Sequence, residues 1–178
     1  MSIDPYTIVQ LDGQPSNLAA IAALYDRIWG QFNARTELRA HLAAPGFTGR
    51  IARAPDGTLA GYAYGITTQP AERWVARVAT YLAPGVLARE IIGSFFVPEL
   101  AVVPEHQRRG LGAALMGAVL TDCRHDRASI ATEHYNAPAR ALYERLGFAY
   151  LLDHVKFSPA STSPGDDFVI MRRTLPLA

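Results

Sequence analysis

Glu99-Leu100-Ala101-Val102-Val103-Pro104-Glu105-His106-Gln107-Arg108-Arg109-Gly110-Leu111-Gly112-Ala113-Ala114-Leu115 is the stretch that decides the fold. An apolar strand leads into a loop, and two glycines, Gly110 and Gly112, open the following helix. The unpartnered N–H groups and the dipole at a helix N-terminus favour an anion, and glycine lets that anion approach the backbone. Arg108 and Arg109 add positive charge. The stretch therefore predicts a site for a phosphorylated ligand.

Other phosphate-binding loops fit this stretch poorly. A Walker loop needs a lysine after its last glycine, and this loop contains no lysine. A dinucleotide-binding fingerprint needs a third glycine where Leu115 stands. The remaining alternative is a helix start softened by glycine that binds nothing.

The sequence around this stretch predicts a mixed α/β protein with short elements. Ser16 or Asn17 is expected to cap the first helix, and Gly30 to end it. Pro98 is expected to bulge or split its strand, because proline cannot donate to a ladder. Asp166–Asp167 is predicted to be a solvated turn. Strands are predicted at 6–11, 49–54, 59–66, 94–103, 128–132, 148–157 and 168–175, and helices at 18–29, 36–42, 70–91 (interrupted), 111–124 and 138–146.

Size and composition limit the kinds of function. The 178 residues are expected to form one domain, 1–178. A net charge of +1 argues against nucleic acid or an anionic membrane as a partner. One cysteine, Cys123, excludes an intrachain disulfide, and five scattered histidines predict no metal site. No apolar run is long enough to span a membrane, which predicts a cytoplasmic protein.

Two segments give a resemblance to a known family. Residues Gln107–Gly112 resemble the Gln/Arg-x-x-Gly-x-Gly/Ala acyl-CoA loop of the GNAT superfamily, and residues 100–104 are similar to its fourth strand. Residues 136–148 resemble its second motif at the usual separation. The resemblance implies a mixed, splayed central sheet flanked by helices, here with an extra helical insertion between the third and fourth strands. It also implies an N-acetyltransferase that uses acetyl-CoA.

The resemblance also assigns roles in acetyl-CoA binding. The fourth strand would pair with the pantetheine arm, and the Val102 N–H would stabilise the oxyanion. Asn136, just before a helix, would cap that helix, contact CoA, or do both. The residues implied in binding are Leu100, Ala101, Val102, Gln107, Arg108, Arg109, Gly110, Leu111, Gly112, Ala113, Asn136 and Tyr143.

Two residues are candidates for proton transfer. Tyr143 matches the family tyrosine that protonates the departing thiolate, although it could also be a core aromatic. Glu99 is the leading candidate for the base, and its alternative is a strand-end glutamate paired with an arginine. Glu133 and His134 are weaker candidates, and water alone could accept the proton. Cys123 lies on an apolar helix stripe and is expected to be a core residue.

The acceptor is an amine that the sequence does not identify. We expect a small-molecule primary amine, with a protein N-terminus or lysine as the alternative, and a non-catalytic acyl-CoA-binding module as the rival. Trp74 and Tyr81 would either line the acceptor pocket or pack in the core. The oligomeric state stays open, and a homodimer is one candidate.

Overall fold

The structure is a computed structural model that describes residues 2–29, 34–158 and 162–176. It confirms the mixed α/β class. A short additional strand at the N-terminus shifts the numbering, so the predicted fourth strand is β5. The strands are β1 (Ser2–Ile3), β2 (Tyr6–Gln10), β3 (Thr48–Arg53), β4 (Leu59–Thr67), β5 (Phe95–Val102), β6 (Arg127–Glu133), β7 (Ala149–Lys156) and β8 (Asp167–Thr174).

The helices lie between these strands in the predicted order. Two short helices follow β4, where the sequence indicated an interrupted helical segment. None of the helices in the described ranges is long and apolar enough to cross a membrane. The helices are α1 (Pro15–Trp29), α2 (Ala34–Leu42), α3 (Arg73–Val78), α4 (Pro84–Glu90), α5 (Leu111–Asp122) and α6 (Ala137–Arg145), with 3-10 turns at Pro104–His106 and Pro164–Asp166.

The chain forms two compact units. The first comprises Met1–Ile66 and Pro98–Cys123, and the second comprises Thr67–Val97 and Arg124–Ala178. In the first unit, β1, β2, β3 and β4 pair in sequence order as antiparallel neighbours, and the second half of β5 follows β4. Apolar side chains of α1 and α2 pack on β3, β4 and β5, with a core of Leu11, Leu18, Ile21, Leu24, Leu38, Ile51, Tyr62, Tyr64 and Ala101.

The predicted cap of α1 is wrong. The helix begins at Pro15, before Ser16 and Asn17, because proline at a first helical position has a suitable φ and lacks an N–H that would otherwise be unpaired. The Asn17 side chain instead donates to Asp12 (2.6 Å) and accepts from Arg53 (2.6 Å). Gly30, the predicted end of this helix, lies outside the described residues.

The sequence Pro55-Asp56-Gly57 predicts a turn between two strands, and the hairpin of β3 and β4 confirms it. Gly57 has a φ of +83°, which favours glycine, and Ala54 N–H donates to Thr58 C=O (2.9 Å). The Asp56 carboxylate accepts from the backbone and the hydroxyl of Thr58, and these bonds lower the pKa of Asp56. This turn fixes the register of β3 against β4.

Gly61 on β4 is required by the close approach of β5. A Cβ at Gly61 would lie 2.7 Å from the Ala101 carbonyl oxygen, closer than real Cβ contacts. Gly61→Ala should therefore lower the free energy of unfolding by about 1–3 kcal/mol, measured by urea denaturation. Gly117→Ala in α5 is the matched control, because nothing lies within 4 Å of its Cβ and alanine favours a helix interior. Equal stability of both variants would contradict this prediction.

The second unit contains the first half of β5, followed by β6, β8 and β7 in the sheet. β5 and β6 run parallel, with pairs from Phe95–Ala128 to Val97–Ile130, whereas β6–β8 and β8–β7 are antiparallel. Of the bulge or split predicted at Pro98, the split is absent, since β5 continues from Phe95 to Val102, and the bulge stays a prediction. The parallel pairing instead ends at Val97, next to the proline that lacks an N–H.

Two short helices pack on the last hairpin of the second unit. The cluster joins α3 and α4 to β7 and β8 through Val75, Val78, Ile91, Val155 and Ile170. Trp74 is half-buried and stacks on Phe96, with ring centroids 4.1 Å apart. The Tyr81 hydroxyl accepts from Lys156 N–H (3.1 Å) and Arg77 (3.0 Å). Trp74 therefore packs on β5, whereas Tyr81 is 38% exposed and is held by hydrogen bonds to its hydroxyl.

Candidate functional site

The predicted phosphate loop has the backbone of an anion cradle. β5 ends at Val102, a single 3-10 turn follows, and α5 begins at Leu111. Gly110 occupies the position before the helix with φ 80° and ψ −3°, a left-handed conformation that favours glycine. Having no side chain, Gly110 leaves the first-turn N–H groups of α5 uncapped. These groups can therefore donate hydrogen bonds to phosphate oxygens.

Arg108 adopts an unusual conformation in the same loop. Its φ is +62°, which costs a non-glycine residue about 1–2 kcal/mol. Such strain persists where surrounding structure holds it, and it is concentrated at functional sites. Arg108 and Arg109 are both exposed, so their guanidinium groups are accessible to an anion.

Side-chain bonds hold the loop in place from three directions. Gln107 donates to the Val102 carbonyl (3.0 Å) and ties the loop to the end of β5. Tyr6, buried on β2, accepts from Arg109 (3.4 Å) and hydrogen-bonds with His106 Nδ1 (3.1 Å). When the Tyr6 oxygen accepts a hydrogen bond from Arg109, the Tyr6 hydroxyl can donate a hydrogen bond to His106 Nδ1. The buried tyrosine thereby orients two loop residues at once.

An ion pair supports the start of the loop. Arg27 on α1 contacts the carboxylate of Glu105, and this hydrogen bond lowers the pKa of Glu105. Both side chains are more than half exposed, so the pair contributes little to stability. The positive charge of Arg27 does offset the negative charge of Glu105, which lies beside the loop expected to attract a negatively charged ligand.

The strand before the loop presents the residues predicted to contact pantetheine. Ala101 is buried, whereas Leu100 and Val102 are half-buried. The backbone of this segment is fixed on one side by β4, since Val103 N–H donates to the Ala60 carbonyl (2.9 Å). An extended backbone held by one neighbour can pair with an extended ligand.

Glu99 lies close to two tyrosines of β4. It is half-buried, and Tyr62 and Tyr64 are almost fully buried. Burial raises the pKa of both phenols, and the negative charge of Glu99 raises it further. The phenols therefore stay neutral, and Tyr64 hydrogen-bonds with His41 Nδ1 (3.0 Å). Glu99 thus lies in a polar environment that includes the neutral phenols of Tyr62 and Tyr64.

The second unit holds the remaining candidates. The Asn136 side chain accepts from Ala139 N–H (3.3 Å), which confirms its capping role at α6. Tyr143 on α6 is 8% exposed, and its ring packs edge-to-face on Phe148 at 6.0 Å.

Leu111 is buried at the start of α5 in the first unit. The structure thus collects Glu99, residues 100–102 and the loop 107–113 in one unit, and Asn136 and Tyr143 in the other.

Sequence reasoning missed one group of polar residues in the second unit. His134 and His154 stack with ring centroids 4.2 Å apart, and Asp153 lies beside both. Asp167, predicted in a solvated turn, is instead the first residue of β8, and its carboxylate contacts His154. The only sequence signal was the chemical type of these residues, because they come from three separate positions along the chain: His134, the adjacent pair Asp153 and His154, and Asp167.

Known proteins resemble this chain in sequence and in structure. The model of the acetyltransferase (GNAT) family matches residues 18–148. A GCN5-like protein acetyltransferase of Mycobacterium tuberculosis is 33% identical over 129 residues, which cover 67% of this chain and 60% of the relative. The match thus spans less than two thirds of that relative.

Two solved structures share the fold. The ribosomal-protein-S18-alanine N-acetyltransferase of Escherichia coli superposes with a TM-score of 0.70 at 20% identity, covering 97% of this chain and 96% of that one. Arabidopsis thaliana NAA60, in complex with acetyl-CoA, superposes with a TM-score of 0.67 at 16% identity, covering 95% and 98%. Together with the family match over most of the sequence, these findings show that the chain belongs to the GNAT family of acetyltransferases.

Proposed function

We propose that this chain transfers an acetyl group from acetyl-CoA to a primary amine by direct attack. The amine nitrogen attacks the thioester carbonyl, the carbon–sulfur bond breaks, and an amide and the free thiol of CoA result. One observation carries the proposal: the loop at residues 107–112 combines the family motif with a left-handed Gly110 and an uncapped helix start. The family match supports the chemistry.

The donor residues act through backbone and charge. We assign the pyrophosphate to the N–H groups at the start of α5 and to Arg108 and Arg109. Leu100, Ala101 and Val102 pair with the pantetheine arm, and the Val102 N–H stabilises the oxyanion. The half-buried strand that β4 holds on one side supports this role. We also propose that residues 1–178 act as one acetyltransferase domain, since the family match includes parts of both units.

The acceptor is a cationic amine in this proposal. The negative charges of Glu99 on β5 and Glu37 on α2 both raise the pKa of the Tyr64 phenol, so the region around Tyr64 has an acidic field. Such a field attracts a protonated amine. Glu99 then accepts a proton from that amine, directly or through water, and so makes the nitrogen nucleophilic.

We favour a small-molecule amine as the acceptor. The two short helices after β4 are the basis of this preference, because such an addition would narrow an acceptor groove against a polypeptide. A protein N-terminus or lysine is the second candidate. It is favoured by the 33% identical relative, which is named as a protein acetyltransferase.

An assay of CoA thiol release across a panel of acceptors tests the proposal. The panel should contain monoamines, polyamines, amino sugars, and peptides with a free N-terminus or lysine. Turnover on the small amines supports the favoured acceptor, and turnover on peptides alone supports the second. If acetyl-CoA binds but no acceptor in the panel causes release of the CoA thiol, the chain would instead be an acyl-CoA-binding module.

Glu99→Gln tests the base. The amide keeps the size of the side chain but cannot take a proton at neutral pH. We expect kcat/KM at pH 7 to fall about tenfold, with recovery as pH rises and more of the free amine is already deprotonated. Steady-state rates from pH 6 to pH 10 would measure this. An unchanged profile would assign deprotonation to water alone.

A further inference from the structure

Four ionisable side chains meet at one end of the sheet in the second unit. His134 directly follows β6, Asp153 and His154 lie within β7, and Asp167 begins β8. The His134 backbone N–H donates to the Asp167 carbonyl (2.6 Å), which fixes the end of β6 against the start of β8. Three secondary-structure elements therefore contribute to one cluster.

A bulge in β7 places two of these residues. Leu152 pairs with Ile170 and Val155 pairs with Phe168, so two residues of β7, Asp153 and His154, face a single residue of β8. Such an insertion breaks the strand alternation and redirects side chains, and it is frequent beside functional sites. Both side chains thereby come within reach of His134.

We propose that His134, Asp153 and His154 bind a divalent transition-metal ion of the zinc type. One ligand atom from each residue lies within 4.8 Å of the others. His134 Nε2 is 3.5 Å from one Asp153 oxygen, and His154 Nε2 is 3.9 Å from the other. Tetrahedral zinc with bonds near 2.1 Å needs ligand atoms about 3.4 Å apart. Small movements of the side chains would bring the ligand atoms from their present distances to this spacing.

Asp167 prepares His154 for this role. Its carboxylate lies 2.9 Å from His154 Nδ1, so the proton of the neutral ring resides on Nδ1 and the Nε2 lone pair is directed toward Asp153. A metal-binding histidine almost always donates its other ring N–H to such a partner. The structure thus contains a carboxylate that orients a histidine, with the Nε2 atom of that histidine available to bind a metal.

The charges of the cluster also favour a cation. Asp153 and Asp167 carry two negative charges when both histidines are neutral. The two imidazole rings are stacked nearly parallel, 20° apart, and stacking two protonated rings would be repulsive. A divalent ion neutralises both carboxylates without protonating either ring. Imidazole ligands select zinc, nickel, copper or iron over magnesium and calcium.

The site is open to solvent. The side chains of His134, Asp153 and His154 are 33%, 66% and 60% exposed, respectively. Three protein ligands with free access leave a fourth position for water or for an external donor. The site therefore differs in kind from a closed structural zinc site, and its occupancy should not decide whether the protein folds.

Titration of tag-free, chelator-treated protein tests the proposal. Zn²⁺ is followed by calorimetry and Co²⁺ by its visible absorption, with circular dichroism confirming that each variant is folded. We expect one equivalent to bind with a dissociation constant in the micromolar range or tighter. His134→Asn and Asp153→Asn should each weaken binding at least tenfold. Asp167→Asn should weaken it about 10- to 100-fold.

A matched control and a spectroscopic measurement make the result decisive. Asp126→Asn removes an exposed carboxylate of the same unit and should leave the affinity unchanged. In proton NMR, Zn²⁺ should shift the ring signals of His134 and His154. No saturable binding below about 1 mM, or equal affinity in all variants, would overturn the proposal. Ring signals that titrate with pH yet ignore Zn²⁺ would also overturn it, and would leave a metal-free ion cluster.

Discussion

Gly110→Trp is expected to weaken acetyl-CoA binding by at least 100-fold, or about 2.7 kcal/mol. The indole would occupy the space in front of the uncapped N–H groups of α5, where the pyrophosphate is assigned. Loss of the left-handed glycine conformation also moves the helix start, since φ at Gly110 is 80°. Calorimetric titration with acetyl-CoA measures the affinity, and thermal unfolding reports whether the fold is kept.

Gly57→Trp provides the matched control for this substitution. Gly57 has a φ of +83°, so tryptophan there pays the same backbone cost of about 1–2 kcal/mol. Nothing lies within 4 Å of its Cβ position, and it occupies the turn between β3 and β4. The control should therefore lose stability without losing affinity. Undiminished acetyl-CoA binding by the Gly110 variant would place the pyrophosphate elsewhere.

The backbone of the loop at residues 107–112, which we propose binds acetyl-CoA, could be predicted from sequence because its determinants are adjacent along the chain. The strand, the two glycines and the arginines lie within seventeen residues, and the uncapped helix start follows from local backbone chemistry. The turn at Gly57 was predictable for the same reason. The start of α1 was not, because a proline at residue 15 and a side-chain bond to Asp12 outweighed the expected cap.

The histidine cluster could not be predicted, because its geometry depends on register. His134 and His154 are separated by a helix and most of a strand, and only the bulge at Asp153 brings the second histidine toward the first. Strand alternation without the bulge would direct these side chains differently. The contact between the Asp167 carboxylate and His154 was not predictable either, since the sequence predicted a turn at Asp167. Long-range pairing, not residue type, decides such a site.

Tyr143 is the residue on which turnover is expected to depend most. Its position matches the family tyrosine, and a phenol with an ordinary pKa near 10 can share a proton with a departing thiolate. Tyr143→Phe keeps the ring that packs on Phe148 and removes only the hydroxyl. We expect kcat to fall about 100-fold while the dissociation constant of acetyl-CoA changes less than threefold. Single-turnover rates and binding titrations separate the two quantities.

Tyr150→Phe is the control for loss of a phenol. Tyr150 lies on β7, is 41% exposed, and donates to Glu144 (2.7 Å), a bond that raises its pKa. Its removal should leave both kcat and affinity unchanged, because its hydroxyl serves only a surface contact. If the Tyr143 variant also turned over normally, the buried ring would be a core aromatic, and the thiolate would leave without an acid from α6. A loss of affinity equal to the loss of rate would assign the hydroxyl to binding instead.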